Sequence, residues 1–82
     1  MPKIQWKWKD LPEAIREHLK ARLKEREIAE EDLFKLREWS RSEPEVPDGA
    51  WYKDFGSFKI CGEGPLPKTF LLKGQSAKGK QL

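Results

Sequence analysis

The spacing of apolar positions changes several times along the chain, and each change marks an element. In KIQWKWK (residues 3–9), Ile4, Trp6 and Trp8 alternate with Lys3, Gln5, Lys7 and Lys9. A period of two with large apolar side chains on one face predicts a half-buried strand. The period then lengthens. Leu11, Ile15, Leu19 and Leu23 recur every fourth residue, with Ala14 and His18 beside them, which predicts one apolar stripe on a charged helix. Asp10 is a fitting N-cap for it, Pro12 is tolerated in the first turn, and Glu13 completes a capping-box-like pattern. IAEEDLFKLREWSRS (residues 28–42) predicts a second helix with Leu33, Leu36 and Trp39 facing inward and Phe34 beside them. Ile28 is placed to staple to Leu33, and Glu30, Glu31 and Asp32 put negative charge on the positive end of the helix dipole. No Gly or Pro separates the two helices, so the break near 26–28 is inferred from the change of stripe and the acidic cluster.

SEPEVPDGA (residues 42–50) ends helical character. Strands are then predicted at 51–53, in SFKIC (57–61) and in KTFLL (68–72), joined by a tight turn in DFGS with Gly56 at positive φ and by a longer turn in GEGPLP. The predicted order is β-α-α-β-β-β: a small α+β fold in which a helical hairpin packs on a three-stranded antiparallel meander. Residues 1–73 form a single domain, and 74–82, small, polar and basic, a flexible C-terminal tail.

An 82-residue chain buries only ~60% of the surface it exposes when unfolded. With hydrophobic residues at 37% and charged ones at 38%, one modest core is all it supports. The four Trp and four Phe therefore weigh heavily, each ring removing ~150–250 Å² from water. The single Cys61 rules out an internal disulfide framework and suits a reducing compartment. No apolar run approaches a membrane span and no h-region follows the amino terminus, so a soluble, cytoplasmic protein is expected. The net charge of +3 is unevenly placed. Residues 1–9 and 64–82 carry Lys and no acid, whereas acids outnumber bases in 10–48. Basic ends suit a polyanion, an anionic surface or an acidic protein.

The strings that resemble chemistry do not carry it. The DFG of residues 54–56 matches the magnesium-binding triplet of protein kinases, but the rest of that machinery does not fit in this length. The G-x-G of residues 62–64 runs into Pro65 and Pro67, so no helix N-terminus is there to hold a phosphate. One Cys and one His do not make a closed metal site, so no metal and no cofactor is expected. A Cys61–His18 nucleophile pair is the one catalytic arrangement the residue types permit, and it lacks an orienting third group. The balance of the sequence is against an enzyme, and no small-molecule substrate is evident.

What remains is surface character. Lys53, Lys59, Lys68 and Lys73 lie on or beside the predicted sheet, Lys78 and Lys80 follow in the tail, and Trp51 and Tyr52 are candidate stacking platforms. Aromatic faces interleaved with cations suit single-stranded RNA or DNA. The first expectation is thus a small RNA-leaning nucleic-acid-binding module that uses these residues. Lysines on sheet edges also serve simply to prevent aggregation. The alternative is a protein-interaction or homodimerisation module, working through the acidic helices or a free sheet edge. The element order is also similar to that of the mRNA-cleaving toxins of bacterial toxin–antitoxin pairs, and GSFKIC resembles the strand in which those proteins carry a basic residue. That resemblance implies a ribonuclease acting through Lys59 or Lys68. The arginine-rich sites of those toxins have no counterpart, since no Arg follows Arg41.

Overall fold

The computed structural model describes residues 2–4 and 6–82. Two helices, α1 (Glu13–Lys24) and α2 (Glu30–Arg41), precede strands β1 (Ala50–Asp54), β2 (Phe58–Glu63) and β3 (Leu66–Leu72), and the chain ends in β4 (Lys80–Gln81). The sheet order is β3-β2-β1-β4. The α+β architecture, the helical pair and the antiparallel β1-β2-β3 meander agree with the sequence pattern.

The amino-terminal segment departs from it. Lys3 makes only an isolated bridge to Glu45, supported by Ile4 N–H to the Pro44 carbonyl and Val46 N–H to the Pro2 carbonyl. Pro44 offers no N–H to return the bond from Ile4, and the residues before it close the end of α2, so the ladder ends there. Ile4 and Trp6 are buried as expected. Trp8, however, lies in a 3-10 turn, Trp8–Asp10, and Gln5 lies outside the described residues. Asp10 does not cap α1 either. Its carboxylate accepts the backbone N–H of Lys7 at 3.0 Å and closes the 3-10 turn. Leu11, preceding Pro12, is held extended, so α1 begins only after Pro12.

The break between the helices needs no glycine because Arg26 adopts the left-handed conformation at φ 65°. Glu27 N–H reaches the Arg22 carbonyl at 2.9 Å and Arg26 N–H the Leu23 carbonyl at 3.0 Å, which together make a Schellman end. At the start of α2, Ile28 and Leu33 both enter the core, consistent with the expected staple. Phe34 does not; it is 58% exposed.

The start of α2 is fastened to the β1–β2 turn. Ser57 Oγ accepts Ala29 N–H at 3.0 Å, and Asp32, only 8% exposed, accepts Ser57 N–H at 2.9 Å. Burial pushes the Asp32 carboxyl up, but the hydrogen bonds from Ser57 and Lys35 outweigh it and the net shift is downward.

On the sheet, Trp51, Phe58, Ile60, Phe70 and Leu72 face the helices, and Tyr52, Lys59, Cys61 and Thr69 face away. The tail, expected to be flexible, supplies β4. It runs parallel to β1 with Trp51 opposite Lys80 and Tyr52 opposite Gln81, and Leu82 packs against the core. Gly79, at φ 99°, lets it pass against the Ala50 backbone.

Two expectations follow. A left-handed non-glycine residue costs roughly 1–2 kcal/mol, so Arg26→Gly should raise stability by about 0.5–1 kcal/mol in urea unfolding, glycine's greater unfolded-state entropy offsetting part of the gain. Asp32 has a folded pKa below its unfolded value, so its stabilisation is full above pH ~4 and is lost as pH falls through the folded value. Wild type should exceed Asp32→Ala by about 1–3 kcal/mol at pH 7, and the gap should close in acid.

Candidate nucleic-acid interface

The side chains picked out as a sheet-borne site do not gather. Trp51 is 0% exposed, with its Nε1–H donated to the Gly64 carbonyl at 2.9 Å; it is a core residue and offers no stacking face. Tyr52 is half-buried on the outer face, its hydroxyl 3.4 Å from Gln81 Oε1. Lys53 shares the inner face with Ile60, its register partner. Lys59 is on the outer face, opposite Asp54 in register, and its Nζ donates to the Gln75 carbonyl at 3.1 Å. Lys68 sits at the β-bulge between Thr69 and Pro67 and pairs with Glu63 at 3.7 Å. Lys73, Lys78 and Lys80 are exposed along the tail. Lys59 thus has Asp54 opposite it in register without an ion pair, and Lys68 has Glu63 as an exposed neighbour.

Cations converge instead at the other end of the chain. A cleft of about 200 Å³ is lined by Lys7, Trp8, Lys9, Arg37 and Arg41. The 3-10 turn positions Lys7, Trp8 and Lys9, and α2 presents Arg37 and Arg41 four residues apart on one face. No acidic residue lines the cleft. Among the described residues the charged ends of Lys7, Lys9 and Arg37 make no ion pair, although the Asp10 carboxylate lies 3.0 Å from the Lys7 backbone nitrogen. Arg41 reaches Glu38 only at 3.7 Å on an exposed surface. Such a pair is weak and easily exchanged. Trp8 packs one side on the core and leaves the rest of its indole half-exposed among the four cations. The arrangement can stack a planar group and bind anions around it. Two signals in the sequence pointed here: acid-free residues 1–9, and the tryptophan pair spaced by two. What the sequence lacked was the approach of Arg37 and Arg41, which depends on the tertiary path of α2.

A second groove, about 370 Å³, lies on the other side of the same segment, lined by Trp6, Asp10, Pro12, Pro65, Leu66 and Pro67. A third depression, lined by Leu23, Glu30, Leu33, Phe34 and Arg37, runs between the helices. Among the described residues no group of three His, Cys, Asp or Glu side chains gathers to hold a metal, and no helix is long and apolar enough to cross a membrane.

Cys61 and His18 lie on opposite sides of the sheet. Cys61 faces outward between Tyr52 and Thr69, whereas His18 meets Phe70 edge-on from the helical side at 6.5 Å. The nucleophile pair is therefore not formed. Burial pushes the Cys61 thiol up, with Lys59 offsetting part of the shift. Cys61 should react with iodoacetamide at pH 7.5 more slowly than free cysteine, and His18→Ala should leave that rate unchanged. No family model, no curated protein and no solved structure matches this chain.

Proposed function

We propose that this protein is a small nucleic-acid-binding module that holds single-stranded RNA or DNA in the Lys7–Trp8–Lys9–Arg37–Arg41 cleft, in the reducing cytoplasm where Cys61 remains a thiol. One observation carries the reading: four cations surround a half-exposed indole with no acid among the lining residues. Phosphates supply the counter-charge the cleft lacks, and a base stacks on Trp8. Binding of this kind releases counterions and weakens steeply with salt. The contact surface is the cleft, with the tail lysines Lys73, Lys78 and Lys80 as secondary contacts; the outer sheet face, where Asp54 and Glu63 accompany Lys59 and Lys68, is not part of it.

Titration of a mixed-sequence single-stranded RNA should quench tryptophan emission. Trp6 and Trp51 are buried and the half-buried Trp39 is packed against Trp6, Trp51 and Phe55, so Trp8→Phe should remove most of the quenching and weaken binding by about 1–3 kcal/mol. Lys7→Ala or Arg37→Ala should each make the log–log salt slope shallower by about 0.7. Lys59→Ala and Lys68→Ala should leave it unchanged. No binding at low salt would overturn the reading, and equal sensitivity to the sheet lysines would move the site back to the sheet.

A further inference from the structure

Residues 6–10 contribute side chains to two cavities. Lys7, Trp8 and Lys9 line the cationic cleft, whereas Trp6 and Asp10 line the larger groove. Apart from Asp10, that groove is made of an indole, a leucine and three prolines. Leu66, on its rim, is 65% exposed, an apolar surface with nothing to cover it. Prolines carry no N–H, so Pro12, Pro65 and Pro67 offer the groove no backbone donors. Its one charged group is a carboxylate, which only accepts hydrogen bonds. Trp6, in the same lining, adds a buried Nε1–H donor with no partner among the described residues. Asp10 Oδ2 accepts Lys7 N–H, and Oδ1 has no protein partner among the described residues.

An occupant that suits this lining has apolar surface and presents hydrogen-bond donors to Asp10. A cationic ligand would satisfy Asp10 but would be repelled by Lys7, Lys9, Arg37 and Arg41 next door. A neutral base tethered to phosphates meets both demands, because its phosphates lie with those same cations. Among the bases, guanine alone presents two adjacent donors, N1–H and the N2 amino group, which match the two oxygens of a carboxylate. Adenine and cytosine set an acceptor beside their amino group, and uracil flanks its one N–H with carbonyls.

We propose that this groove takes a guanine base from the strand held in the cleft, and that Asp10 is the residue that selects it. The inference rests on the nucleic-acid reading above and deepens it. Phosphate contacts would fix the register of the strand and Asp10 would read one base, the usual division of roles.

The test is fluorescence anisotropy of the full chain with a short labelled oligouridine carrying guanine, inosine, adenine or uracil at one central position, at low salt. Guanine should bind about tenfold more tightly than uracil or adenine, within the range of a two-bond base contact. Inosine, which lacks the N2 amino group, should lose several-fold. Asp10→Asn keeps an amide oxygen for Lys7 N–H; it should abolish the guanine preference and leave the salt slope unchanged. The inosine comparison needs no variant and decides the matter even where Asp10→Asn misfolds. Equal binding of all four strands would overturn the guanine assignment while leaving the cleft reading intact. A preference that survives Asp10→Asn would overturn the role of Asp10. Failure of every strand to bind would overturn the nucleic-acid reading itself.

Discussion

The Trp51 indole is the constraint on which the rest of the structure depends. It lies against Gly62, its neighbour across the β1–β2 register, where a Cβ would fall within the ring. Its N–H ties to the Gly64 carbonyl, so one side chain fixes the width of the hairpin and the start of the turn into β3. Trp39 of α2 tilts onto it at 5.7 Å, and Trp39 in turn meets Trp6 at 6.1 Å and Phe55 at 5.9 Å. This line of rings joins the amino-terminal segment, α2 and the sheet. In a chain of this length such large rings contribute heavily to the area removed from water.

Where aromatic packing gives cohesion, the Asp32–Ser57–Ala29 hydrogen bonds give direction. They hold the start of α2 to the β1–β2 turn, so the opposite end of the helix projects toward the 3-10 turn. Arg41 there also complements the negative end of the helix dipole, which is a structural reason for a cation at that position. It does not extend to Lys7 and Lys9, which belong to another element, nor to the lack of any acid between them. A cationic cleft beside a half-exposed indole is thus a by-product of how α2 is aimed and also a surface with a chemistry of its own.

Much of the fold was legible because period and turn chemistry are local. The α2 limits, the Gly56 turn and the inward side of β2 and β3 were all readable from spacing. The failures were tertiary. Alternation in KIQWKWK is a strand signal only if a partner strand has N–H groups to offer; Pro44 lacks one, and the residues before it belong to the end of α2. Lys80–Gln81 is too short and polar to announce a strand, and it exists because β1 has a free edge and Leu82 finds the core. The candidate site failed for a related reason. Trp51 and the lysines around it share a stretch of sequence, but strand alternation sends Trp51 inward and Lys59 outward. Lys7 and Arg37, far apart in the chain, meet only in the fold.

The same register decides which surface is fit for a polyanion. On the outer sheet face Lys59 stands opposite Asp54 in register, and Lys68 has an exposed contact to Glu63 at 3.7 Å, a pair as weak as Arg41–Glu38, so a phosphate arriving there approaches a carboxylate. Carboxylates so close to the lysines weaken the positive field over that face. In the cleft the cations face each other across two elements with no acid between them, which costs some self-repulsion in the free protein and is relieved by an anion. The overall charge of +3 says little about either surface, because the acids of residues 10–48 are spread over the helices. Placement rather than total charge separates a decorated sheet from a binding cleft.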